Sequence, residues 1–62
     1  MEANKPIGAY NAGIRWLKSH NKEDENYRLI NCLVEQYYYG IEAKRELESV
    51  LDRLNVEYIK TT

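Results

Sequence analysis

The chain has 62 residues, with nine basic and ten acidic side chains and a formal net charge of −1. That length allows one domain at most, burying only roughly 60% of the surface its unfolded form exposes, so stability is marginal and association is an expected supplement. The charge gives no long-range pull toward nucleic acid or anionic membranes, no apolar run approaches the roughly 18 residues of a membrane span, and the single cysteine excludes an internal disulfide.

The first ten residues, MEANKPIGAY, lack the basic region and apolar run of a secretory signal. A lone thiol without an export signal fits a reducing compartment, so a cytoplasmic location is expected. The abundance of Asn, Tyr, Ile and Lys suits an AT-rich coding sequence, such as many phages carry.

Pro6 can head a helix, where its missing N–H costs nothing, with Asn4 or Lys5 as the cap. Ile7, Tyr10, Ile14 and Leu17 then recur at spacings of three and four, the stripe of an amphipathic helix, which predicts a first helix over residues 6 to 19 docked by that stripe. Trp16 lies about 140° from the centre of the stripe, on a face it shares with Ala9, Ala12 and Gly13. The first stripe already accounts for packing within the chain. This second face either is core as well, with the first helix wedged centrally between the other two, or docks a partner or a second copy of the chain, with Trp16 as the hot spot and the small residues admitting a close approach; the docking surface is the functional expectation.

The run SHNKED breaks the period. Asn21 is a suitable N-cap with an acidic Asp24 three residues on, and Glu23, Asp24 and Glu25 favour the positive end of a helix dipole. A second helix is expected over 22 to 39, with Tyr27, Ile30, Val34 and Tyr37 as its stripe, Leu33 beside it, and Gly40 as a left-handed C-cap. Tyr37, Tyr38 and Tyr39 together span roughly 200° of a helix and cannot share one face. Tyr37 falls on the stripe, Tyr38 on its flank, and Tyr39 on the opposite side; Tyr39 folds back over the bundle end if the helix stops early, and is otherwise an exposed aromatic and candidate partner contact.

Leu47, Leu51, Leu54 and Tyr58, with Val50 alongside, predict a third helix over 41 to 55. Asn55 is its expected left-handed cap, with Val56 reaching back to Leu51 in a Schellman motif; the alternative is a helix that runs on to Tyr58 or Ile59. Short connections make successive helices antiparallel. The expected fold is all-α: a single three-helix bundle with a short N-terminal lead and a C-terminal tail.

No chemistry emerges from the side chains. Cys32 falls opposite the second stripe, with no histidine or asparagine placed to form a catalytic pair. One histidine, His20, and one cysteine make too small a ligand set for a structural zinc site, and Glu23, Asp24 and Glu25 lack the alternating oxygens and central glycine of a calcium loop. No catalytic residue, metal or cofactor is expected. The functional expectation is a non-enzymatic module that binds another protein or forms a homodimer, such as a phage or mobile-element regulator or inhibitor, with Ala9, Ala12, Gly13, Trp16 and Tyr39 as the contact residues. The alternative, a DNA-associated transcriptional regulator reading through Lys44 and Arg45, meets Glu42, Glu46 and Glu48 in the same helix, which phosphates would repel.

Overall fold

The computed structural model describes residues 5–60, which form three helices: α1 (Gly8–Lys18), α2 (Glu25–Glu35) and α3 (Ile41–Arg53). Each packs against both of the others, so the expected three-helix bundle is the fold. Among the described residues no helix is long and apolar enough to cross a membrane. Ile30, Leu47, Val50 and Leu51 are sealed at the centre, and Leu33 and Val34 of α2 close around them.

The core face of α1 is the reverse of the expected one. Ala9, Ala12, Gly13 and Trp16 are buried, whereas Tyr10, Ile14 and Leu17 are only half-buried and Ile7 is 57% exposed. The reason is steric. A Cβ added to Gly13 would lie 2.7 Å from Val34 Cγ2 on α2 and 3.6 Å from both Leu47 methyl groups on α3. The small face thus lets α1 sink between the other two helices, close enough for Trp16 to pack across the core and leave only 8% of itself exposed. Bulkier side chains at those positions would hold the helices apart.

Helix boundaries are set by hydrogen bonding as well as by period. Rather than entering the helix, Pro6 offers its carbonyl to the Ile59 N–H at 2.8 Å, and Gly8 donates its own N–H to the Ile59 carbonyl at 2.7 Å. This two-bond parallel bridge between Ile7 and Ile59 ties the segment before α1 to the segment after α3. Gly8 sits at φ 86°, a conformation costly for any residue with a Cβ. Of the two expected N-caps for α1, Asn4 lies outside the described residues and Lys5 precedes the bridge; Ile7 holds the cap position without a side-chain bond.

α2 starts three residues later than expected. Its cap is Asp24, whose carboxylate accepts the Asn26 N–H at 2.8 Å, while the Asn21 carbonyl accepts the Asp24 N–H in the preceding turn. Glu25 occupies the first turn, where its charge meets the positive helix end. The helix also ends early, at Glu35. Residues 36 to 39 continue in tight turns, with Tyr37 N–H on the Val34 carbonyl at 3.2 Å and Tyr39 N–H on the Gln36 carbonyl at 3.0 Å. Those i→i+3 bonds satisfy the terminal carbonyls without a left-handed residue. Gly40 is accordingly extended, at φ −169° and ψ 151°, and serves as the N-cap position of α3 instead of the C-cap of α2.

α3 ends as its sequence implies. Asn55 is left-handed at φ 60°. Its N–H bonds the Asp52 carbonyl at 3.1 Å and the Val56 N–H bonds the Leu51 carbonyl at 3.0 Å, the paired bonds of a Schellman motif. That reversal sends residues 56 to 60 back across the bundle, where Val56 and Tyr58 pack against the core and Ile59 reaches the bridge.

Candidate functional site

The early end of α2 decides how the three consecutive tyrosines are displayed. Had the helix continued, their rings would be spread around its circumference; in the turns they fan over one corner of the bundle. Tyr10 of α1, Tyr37 and Tyr38 form a closed aromatic triangle with every pair of ring centroids 5.2 Å apart. The interplanar angles of 53°, 48° and 85° are tilted and edge-on, as ring quadrupoles favour. Lys44 of α3 places its ammonium 5.4 Å from the Tyr37 centroid, in reach of the cation–π attraction.

Burial is the main reason the Tyr37 hydroxyl is pushed above the usual tyrosine pKa of 10.0, with the Glu48 carboxylate and Tyr38 adding to it. Tyr58 is shifted in the same direction, again by burial first, then by Asp52, Glu48 and Tyr37. Its hydroxyl is enclosed without a hydrogen-bond partner.

Beyond the triangle the apolar surface opens to solvent. Tyr38 is 76% exposed, Tyr39 88% and Ile41 61%, and the three surround one hollow of about 220 Å³ with Lys44 at its edge. Tyr39 is therefore an exposed aromatic, directed outward by the turns and not by a helical position. The other four expected contact residues are elsewhere: Ala9, Ala12, Gly13 and Trp16 are covered by α2 and α3 of the same chain, so a partner surface centred on Trp16 is overturned. Trp16 also stacks on His20, centroids 3.8 Å apart and planes 9° from parallel, while the His20 Nδ1–H donates to the Trp16 carbonyl at 2.8 Å. That carbonyl also takes the Ser19 N–H at 3.1 Å, so His20 helps to close the end of α1.

Sequence reasoning missed Tyr38 and Ile41 as surface residues. The signal available was Ile41 itself, a large apolar residue directly after Gly40 and outside the Leu47, Leu51, Leu54 stripe. Cys32 is an exposed free thiol, as expected from its place opposite the stripe. Among the described residues no three of His, Cys, Asp and Glu gather where they could hold a metal ion. Comparisons with protein-family models, curated proteins and solved structures find no match to this chain.

Proposed function

We propose that this chain is a small non-enzymatic helical module that works by docking a protein partner at the corner where α2 passes into α3. The observation that carries this reading is the exposure of Tyr38, Tyr39 and Ile41 around one hollow. Tyrosine is among the residues most enriched at binding hot spots, since it offers a large contact area with few rotatable bonds and a hydroxyl for the rim. Tyr38 is already braced against Tyr10 and Tyr37, so little ordering entropy remains to be lost on binding. A regulator or inhibitor of a protein target would act through such a surface by occupying the target's own site.

A DNA-binding reading through Lys44 and Arg45 has less to support it. Lys44 lies over the Tyr37 ring, and Glu42, Glu46 and Glu48 are exposed on the same helix.

The experiment is site-specific photocrosslinking in the cell of origin, with the crosslinker in place of Tyr39 or, as control, of Glu46. The expected result is one defined adduct, to another protein or to a second copy, from position 39 and none from position 46. Tyr39→Ser and Ile41→Ser should each weaken the purified complex by about 2 kcal/mol, as hot-spot truncations do, with helix content unchanged. Identical crosslinking from both positions, or none from either, would rule the corner out.

A further inference from the structure

Tyr39 and Gly40 form a wall common to two hollows. The hollow of about 220 Å³ bounded by Tyr37, Tyr38, Ile41 and Lys44 lies on one side, and a second of about 380 Å³ bounded by Gln36, Glu42 and Ala43 lies on the other. Gly40 keeps this wall low, because a Cβ placed there would meet no atom within 4 Å. The two hollows are thus joined over a saddle of bare backbone.

Area and charge narrow what can lie across it. A stable interface of standard size covers about 800 Å² on each partner. Tyr38, Tyr39 and Ile41, at their observed exposures, offer only roughly 400 to 500 Å² of apolar surface, which suits a slender segment better than a second copy of the chain. Lys44 stands at one hollow and Glu42 at the other, so opposite charges balance across the saddle and favour an occupant without strong net charge. The backbone over residues 36 to 39 runs in turns and Ile41 opens a helix, so no strand edge is offered for main-chain pairing. Contact is left to aromatic faces and phenol hydroxyls, the chemistry by which aromatic-lined grooves take polyproline II segments. Such a segment is uncharged and already extended, has carbonyls without internal hydrogen bonds, and repeats every three residues, so prolines three apart face the same side.

Resting on the reading that this corner docks a protein partner, we infer that the partner's contacting segment is a proline-rich polyproline II stretch laid across Gly40. Prolines three residues apart sit in the two hollows on either side of Tyr39, and the Tyr38 and Tyr39 hydroxyls donate to carbonyls of the stretch. The segment brings little conformational entropy to lose, and Tyr38 is held in place by its contacts with Tyr10 and Tyr37, so a small apolar area is enough for specific contact.

The test is an NMR titration of the isotope-labelled chain with an uncharged peptide of repeated Pro-Pro-Ala. The amides of Tyr38, Tyr39, Gly40 and Ile41 should shift saturably while that of Trp16 stays in place. Affinity should change less than about twofold between about 0.1 M and about 1 M salt, since no ion pair holds the peptide. Tyr39→Ser, and Gly40→Val, which stands a side chain on the saddle, should each weaken binding about tenfold with helix content unchanged by circular dichroism. Should Gly40→Val lose helix, Gly40→Ala makes the same comparison with a smaller expected loss. Equal shifts from a peptide with glycine in place of every proline, or unchanged binding by the Gly40 variants, would overturn the inference. A response to an amphipathic helical peptide, or to the chain's own concentration, in place of the proline peptide would overturn it while leaving the corner a docking site. A response to no probe overturns it too, and photocrosslinking from position 39 then decides separately whether the corner docks a protein at all.

Discussion

Gly13 and Val34 are in such close contact that a single methyl group on Gly13 would approach Val34 Cγ2 to 2.7 Å. Two effects compete in Gly13→Ala. The helix gains about 1 kcal/mol from replacing glycine, while overpacking a closed core costs about 1 to 3 kcal/mol. Val34 is buried and β-branched, so its methyl group cannot swing aside, and a net loss of about 1 kcal/mol is expected. Denaturant melts of Gly13→Ala, Val34→Ala and the double variant should show positive coupling, the double variant being more stable than the two losses added. Strict additivity would mean that the contact does not limit the approach of α1.

The other two glycines should behave oppositely to each other. Gly8→Ala forces a Cβ into the left-handed region at φ 86° beside the Ile59 bond, and should cost about 1 to 2 kcal/mol. Gly40 is extended with open space around it, so Gly40→Ala should change stability by less than about 0.5 kcal/mol. A large loss at Gly40 would show that it needs the left-handed cap conformation after all.

Core substitutions should rank by burial. Leu51→Ala is expected to cost about 2 to 5 kcal/mol and Trp16→Ala about 3 to 5, enough to abolish folding of a domain this small, while Cys32→Ala on the exposed side of α2 should be nearly silent. His20→Ala removes the ring stacked on Trp16 and should cost about 1 kcal/mol. Thermal melts followed at 222 nm check the order. A folded Trp16→Ala variant that had lost only a tendency to associate would return Trp16 to the surface.

Alkaline pH should destabilise the protein through Tyr37 and Tyr58. Both are raised in the folded state, so above the unfolded value of 10.0 the unfolded chain releases protons that the folded chain still holds. Stability is therefore full below about pH 10 and falls as pH rises toward the folded values. Tyr58→Phe removes one of these groups together with an enclosed hydroxyl that has no partner, so it should hold or raise stability at pH 7 by up to about 1 kcal/mol and flatten the alkaline loss. Denaturation midpoints between pH 8 and pH 11 make the comparison; a steeper loss in the variant would contradict it.

The parts of the structure legible in the sequence are those fixed by residues near one another in the chain. Three helices followed from three periodic stripes, and the left-handed Asn55 with Val56 returning to Leu51 followed from local capping chemistry. Whether Tyr39 would be exposed or folded back over the bundle end was not legible from its helical angle, because α2 stops at Glu35 and the turns that follow set its direction. What period could not decide was which of two apolar faces of α1 would be core. Ile7, Tyr10, Ile14 and Leu17 offer more apolar bulk, but Ala9, Ala12 and Gly13 offer a shorter distance between helices, and that advantage exists only once Val34 and Leu47 stand opposite. Gly40 likewise lost its expected role because the turns over residues 36 to 39 had already satisfied the end of α2. The bridge from Ile7 to Ile59 was decided by the tertiary structure alone, since it pairs the backbone before α1 with the backbone after α3, two segments far apart in sequence that carry no local signal of their pairing.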